Sequence, residues 1–343
     1  DLKWERTGQF DVGLDLGLFN NRLRVTMDYY KKKTTDLLYN VAIPYTSGYD
    51  TMLKNIGSLE NHGYELSIES DNLTGPFSWT TAFNISFNRN KVLELGGEEY
   101  KEMAEGDDHL KTGSVRRLIV GEPVGVFYGY RFDGIFQNEE ECKQQTSSAA
   151  PIGVGLRRYK DLNGDGKVDA VNDREILGNA NPKFFGGLTN TFAYKGFELN
   201  VFLQYSVGNK ILNYNAMELE TPSGGQNAYA DMVNRWTPEN PSNIYPKATT
   251  NRNVLVSDRF IEDGSYLKLK TLSLSYSFPK VNIKHIQGLR IYVTGQNLLT
   301  WTKYRGYDPE VSYRGASTLE SGEDYGGYPQ SRTFMLGVKL DIK

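Results

Sequence analysis

The chain has 343 residues, a net charge of −3 and a pI near 5.8, and no basic stripe stands out, which excludes the electrostatic footprint of a nucleic-acid binder. A single cysteine, Cys142, excludes an internal disulfide framework. Mean hydropathy is −0.53 and no apolar run approaches the ~20 residues of a membrane helix, but a transmembrane strand needs only ~10 residues, every second one apolar.

The 23 Tyr, 35 Gly and only 12 Pro suit a β-rich chain with many turns and many interfacial rings. Residues 9–19 alternate, with Phe10, Val12, Leu14, Leu16 and Leu18 on one face. This is period two, the signature of a strand. Asn20 and Asn21 make a tight turn, and residues 22–31 alternate again through Leu23, Val25, Met27 and Tyr29. After a long connection, Tyr64, Leu66 and Ile68 begin a second pair, completed by Trp79, Phe83, Ile85 and Phe87. Residues 114–120 and 126–136 read as two further strands around a turn at 121–124. A long polar stretch, 137–183, follows.

Within it, residues 161–173 read DLNGDGKVDAVND, a calcium-type loop. Asp161, Asn163 and Asp165 offer side-chain oxygens, Gly166 the sharp turn, Lys167 its carbonyl, and Asp169 and Asp173 more carboxylate. Four aspartates this close repel one another without a cation. The expectation is a structural Ca²⁺ that braces the loop; the competing reading is a DG- and NG-rich turn with solvated acids. Asn172 stands at the twelfth position, where an EF-hand has a bidentate Glu, so this is not an EF-hand proper.

Residues 185–194 and 197–206 form a hairpin around Lys195 and Gly196. Residues 265–279 form a strand whose phase changes: Leu267 and Leu269 have one parity, Leu272, Leu274, Tyr276 and Phe278 the other. A β-bulge between 270 and 272 is predicted. Strands at 289–297 and 333–343 complete a count of eleven.

Short connections (20–21, 71–76, 121–124, 195–196, 279–288) alternate with long ones (32–63, 91–114, 137–183, 207–265, 300–330). An up-and-down bacterial outer-membrane barrel has this asymmetry, whereas the Greek-key connections of a β-sandwich give no reason for it. The predicted fold is therefore all-β, a transmembrane antiparallel up-and-down barrel with about eleven strands here. Eleven is odd, and an open half-barrel leaves edges that lipid penalises, so either more strands lie upstream or a partner closes the ring; eleven is half of the ~22 strands of the large plugged barrels. The chain begins without Met and without a signal-peptide pattern, which favours a fragment.

Particular stretches carry a family resemblance. NIGSLENHGYELSIES (55–70), GVFYGYRFDGIFQ (125–137) and the run from DLNGDGKVD to YSVGNKI (161–211) come first. SDRFIEDGSYLKLKTLSLSY (257–276), VTGQNLLTWTKYRGYDPEV (293–311) and YPQSRTFMLGV (328–338) follow in order. They resemble hallmark stretches in the barrel of SusC/RagA-type TonB-dependent transporters. The resemblance implies the C-terminal part of such a barrel over residues 1–343, in the Gram-negative outer membrane, with plug and TonB box upstream. It also implies import of oligosaccharides or peptides driven through TonB, beneath a SusD-like surface lipoprotein. The chain departs from many such barrels in ending on Ile342 and Lys343 rather than an aromatic residue.

Trp236, Trp301, Tyr304 and Tyr307 lie in predicted outer loops and are candidate sugar-stacking residues; the competing readings are partner anchors and interfacial rings. Asp11, Asp15, Arg24, Asp28, Glu65 and Glu69 are expected to face a water-filled lumen. No enzyme is expected: His62, His109 and His285 are scattered, and no phosphate loop is present. The alternative is a soluble or surface carbohydrate-binding β-protein, whose apolar faces would meet in a core. A dockerin-like scaffold would need two tandem calcium loops, and only one is seen.

Overall fold

The computed structural model describes residues 2–42, 51–103, 106–107, 109–110, 112–221, 227–250, 254–279, 285–311, 313, 315 and 320–342. Among them, nine long strands form one antiparallel sheet in strict chain order. They are β1 (Arg6–Leu18), β2 (Leu23–Thr35), β3 (Ser58–Leu73), β4 (Phe77–Glu94), β5 (Phe184–Tyr194), β6 (Phe197–Val207), β7 (Tyr266–Ser277), β8 (Ile286–Thr302) and β9 (Thr333–Ile342). Each is at least as long as the ~9–11 residues that cross a bilayer.

The cross-strand register explains why these sequences alternate. One rung runs Leu16, Val25, Ile68, Phe83, Leu188, Leu203, Leu269, Leu299 across eight strands. The rung beside it runs Asp15, Thr26, Ser67, Asn84, Gly187, Gln204, Lys268, Thr300. One face is thus apolar and the other polar, and a one-residue slip would exchange them. The apolar face is uncovered: Val12 is 54% exposed, Val293 51% and Leu336 75%. A continuous bare band of this kind suits contact with lipid.

Rings flank that band. Near the short turns, Trp79 stacks on Phe192 at 5.8 Å, and Tyr276 lies 4.5 Å from Phe197 and 4.9 Å from Phe278. Near the long connections, Tyr64 meets Tyr29 at 4.9 Å, and Phe184 meets Phe87 at 5.8 Å and Tyr205 at 6.2 Å. Phe184 and Phe192 share β5. Their separation along the strand is roughly 27 Å, less once the strand tilts, which matches an outer-membrane band of about 25 Å between aromatic girdles.

The predicted short turns are built as expected. Phe19, Asn20 and Asn21 all have positive φ, as do Lys195 and Gly196. Residues 280–284, within the predicted turn 279–288, lie outside the described residues. The phase change in β7 is a bulge at Lys270: the register shifts between Leu269 and Thr271 against both neighbours. The predicted lumen residues fall together on the polar face, with Asp28 opposite Glu65 and Arg24 opposite Glu69. Arg24 pairs with Glu69 at 3.0 Å and Asp71 at 3.3 Å, and Thr26 donates to Asp15 at 2.6 Å.

Two predicted strands do not join the sheet. Residues 114–120 contribute only Arg117–Ile119, paired with Tyr100–Glu102. Residues 126–136 split into Val126–Gly129, paired with Glu175–Asn179, and Phe132–Ile135, paired with Arg157–Tyr159. Gly125 and Gly134, at φ 87° and 98°, cut the run short of a membrane crossing. Its apolar residues enter a core instead: Phe127 is fully buried, and Ile135 and Phe136 nearly so. The segment 137–183 is therefore part of one excursion, 95–183, between β4 and β5. Losing two strands and one turn leaves the alternation of short and long connections intact.

Leu188→Arg, in the middle of the apolar face, is expected to cost about 2–4 kcal/mol of barrel stability. Thr189→Arg, its neighbour on the polar face near Glu69, should cost little. Heat-modifiability of the barrel on gels reads the difference, and equal effects would refute the assignment of faces.

Candidate functional site: the folded loops at the barrel rim

The long connections form a folded body on the rim. Its core includes Phe127 from the 95–183 excursion, Leu212, Tyr214 and Met217 from the 208–265 excursion, and Val256 and Phe260 before β7. Tyr214 lies at the start of a short helix, Tyr214–Leu219, capped by the Asn213 side chain. Tyr313 and Tyr325, from the connection between β8 and β9, stack edge-on against its ring at 6.2 and 5.9 Å.

Buried charges tie the excursions to one another. Arg116 and Glu323, each 2% exposed, meet at 2.8 Å across 207 residues of chain. The Arg116 guanidinium also donates to the carbonyls of Gly125 and Ser321 and lies 4.3 Å from the Phe127 ring centroid. Glu220, fully buried, receives Arg259 and Arg305, each at 2.8 Å. Arg305 also holds Glu262 at 2.8 Å.

The body is anchored to the polar face of the sheet at the bulge. Lys268, 1% exposed, holds Asp308 at 2.7 Å and also Glu310. Lys270 reaches the same Glu310 at 3.0 Å. The sequence stretches 257–270 and 302–311 thus grip each other through Glu262, Lys268 and Lys270 on one side and Arg305, Asp308 and Glu310 on the other. Burial alone would raise the carboxyls of Asp308 and Glu310. Hydrogen bonds from Lys268, joined at Glu310 by Lys270, outweigh it and hold both below the usual range.

The four candidate aromatics do not converge. Trp301 lies opposite Leu267 on the lipid-side face, 51% exposed, in the position of an interfacial ring. Tyr304 is buried and donates to Asp324; burial first, then that carboxylate, pushes its hydroxyl well above the ordinary range. Trp236 is half-buried, donates to Gln137 at 3.1 Å and packs over Gly155. Tyr307 is 79% exposed.

The 161–173 loop is closed by hydrogen bonds. Asp161 accepts from the N–H groups of Gly164 and Gly166, both at 2.7 Å. Asn163 accepts from Asp165 and Asp165 from Lys167. Asp173, fully buried, accepts from Leu162 at 2.8 Å and Asp169 at 2.7 Å, clasping both halves of the loop. Asp169 accepts from the N–H groups of Asn172 and Val171, which hold its carboxyl below the usual range, and pairs with Lys167 at 3.3 Å. Among the described residues no group of three or more His, Cys, Asp or Glu is gathered for a metal.

The sheet with its lipid-facing band, aromatic girdles and large rim loops defines an outer-membrane β-barrel portion. The chain belongs to the family described as TonB dependent receptor-like, β-barrel, which matches residues 1–298, a family of outer-membrane receptors rather than enzymes. It is 42% identical to TonB-dependent receptor P3 of Formosa agariphila over 99% of this chain and 34% of that protein. It is 30% identical to TonB-dependent receptor SusC of Bacteroides thetaiotaomicron over 100% of this chain and 32% of that protein. Among solved structures it is similar to the RagAB peptide transporter, at TM-score 0.77 and 27% identity over 98% of this chain and 35% of that one. The chain thus spans about a third of the length of the relatives it matches.

The anchor at the bulge gives a pH prediction. Carboxyls held low stabilise the docked loop above their ordinary values of about 4, and that contribution is lost as pH falls through the lower folded values. Acid-protease cleavage within residues 303–332 of the full-length receptor should therefore rise only below about pH 4. In Lys268→Met the half-buried Asp308 loses its cation and the onset should move to higher pH; an unmoved onset would show that Lys268 does not hold the loop.

Proposed function

We propose that this chain is the C-terminal barrel portion of a TonB-dependent importer. It carries oligosaccharides or peptides across the Gram-negative outer membrane beneath a SusD-like lipoprotein lid, with energy from the TonB complex. The observation that carries this reading is a bare apolar band outside the sheet combined with a folded loop body anchored to its polar, inner face. A soluble binding protein would have buried its alternating apolar residues against each other. Likeness to SusC and to the RagAB peptide transporter supports the lid partner and bulky solutes as cargo.

Cells that make the full-length receptor and its lid should take up the cognate labelled glycan or peptide, and loss of TonB should abolish uptake. Uptake that survives without TonB would overturn the reading.

We also propose that Ca²⁺ binds the 161–173 loop. Asp161, Asn163, Asp165, the Lys167 carbonyl, Asp169 and Asp173 would hold it. A carboxylate oxygen that accepts one N–H retains a lone pair for a cation, and the ion would displace Lys167 from Asp169. Calcium titration of the full-length receptor should then slow protease cleavage within 137–183. Identical cleavage in calcium and in chelator would dismiss the site.

A further inference from the structure

The lipid-side wall carries a groove whose two ends differ in chemistry. At the girdle beside the long connections, one rung of that face runs Gly186, Tyr205, Leu267, Trp301 across β5 to β8. Gly186 offers no side chain, and the Tyr205 ring leans into its place: a Cβ there would lie 2.6 Å from the Tyr205 hydroxyl and 2.9 Å from its Cζ. The hydroxyl donates to the Asn84 carbonyl at 2.8 Å, which fixes the ring over β5 and away from β7. Leu267 is thereby left uncovered between Tyr205 and Trp301. With Phe184, these residues line a groove of about 580 Å³.

The end of the groove nearest the loops is polar. Asp263 and Lys303 line it, just beyond the loop ends of β7 and β8. Thr302 donates to the Ser265 carbonyl at 2.8 Å, which holds the chain before Lys303 against the start of β7. Asp263 accepts from the Ser265 hydroxyl at 2.6 Å and from its N–H at 3.1 Å. Lys210, opposite Asp263 in register, and Lys303 both act on that carboxylate electrostatically. Two ammonium groups therefore face one carboxylate that is already hydrogen-bonded. Lys303 is exposed and makes no side-chain hydrogen bond or ion pair among the described residues.

A lipid of the outer leaflet meets the wall in this same orientation, with chains toward the membrane centre and head toward the loops. Lipids exchange freely over a smooth convex wall; a groove that fits a chain below and a charge above retains one. The groove is continuous with the lipid-facing band, so its occupant comes from the bilayer. The surplus positive charge favours a phosphate-bearing head over a neutral one.

We propose that this groove holds one phosphorylated lipid of the outer leaflet, of the lipid A type, with an acyl chain over Leu267 between Tyr205 and Trp301 and a phosphate on Lys303. The site is independent of the import reading, because its ligand is neither cargo nor lid.

The test uses the full-length receptor in detergent, stripped of lipid. Native mass spectrometry should show one added lipid A retained per receptor. Dephosphorylated lipid A should bind about tenfold more weakly, the scale of one charge-assisted hydrogen bond. Lys303→Gln should lose the same factor, and combining the two changes should cost no more than either alone. Lys303→Arg should retain binding, and Lys195→Gln, at the short turn across the membrane, should change nothing. Trp301→Ala removes one wall of the chain groove and should weaken both lipids alike. Equal binding of the two lipids, or undiminished binding in Lys303→Gln, would overturn the proposal. So would displacement by inorganic phosphate, which would leave an anion site only, or a second copy of the receptor seated over Trp301.

Discussion

Hydrocarbon offers no hydrogen-bond partner, so each backbone group at membrane depth must pair within the ladder. That constraint fixes the nine-stranded meander and makes face alternation obligatory. Its one informative breach inside β7 is the extra residue at Lys270. Without the bulge, either Leu267 and Leu269 or Leu272 and Leu274 would turn inward, and Lys268 could not share a face with the polar residues beyond it. With it, the apolar band stays unbroken outside while Lys268 and Lys270 both reach Glu310 inside. A local irregularity thus serves two solvents at once.

The loop body obeys the opposite rule. Its apolar residues are inside and its charges are paired, as in a water-soluble domain. The pairs are not there for bulk stability, since a buried ion pair gains little over apolar packing. They penalise misassembly: Arg116 without Glu323, or Glu220 without its arginines, is a stranded charge. Pairs joining residues 207 positions apart, as Arg116 and Glu323 are, specify which excursion packs on which.

Much of the sheet was legible because period two is a local property. Asn20 with Asn21, Lys195 with Gly196, and the slip at 270 were all readable from a few residues. Residues 126–136 misled because alternation says that one face is apolar, not whether that face meets lipid or a protein core. The glycines at 125 and 134 were the signal that the run is too short to cross. Parity also held information about the aromatics: Trp301 shares the odd phase of Leu299, which assigns it to the lipid side. Tyr304, by contrast, is buried through Asp324, and no spacing announces a partner 20 residues away. Lys268 and Lys270, astride the phase change, were the one visible hint of the anchor.

Sharing is what makes the rim a unit. Glu220 serves two arginines, Arg305 serves two glutamates, and Glu310 serves two lysines. Releasing any one of the three excursions joined in this way (95–183, 208–265 and the connection between β8 and β9) would leave a charge in another without its partner, so the cost of opening is not divisible among them. On the import reading, this argues against loops that unfold singly to admit cargo. The connection between β8 and β9 is bound through Lys268 and Lys270 to a strand that spans the membrane. Displacing it therefore pulls on β7 at its bulge, the one place in that strand where the ladder already yields. Force or binding energy applied at the rim would be felt there first, on the inner face of the barrel.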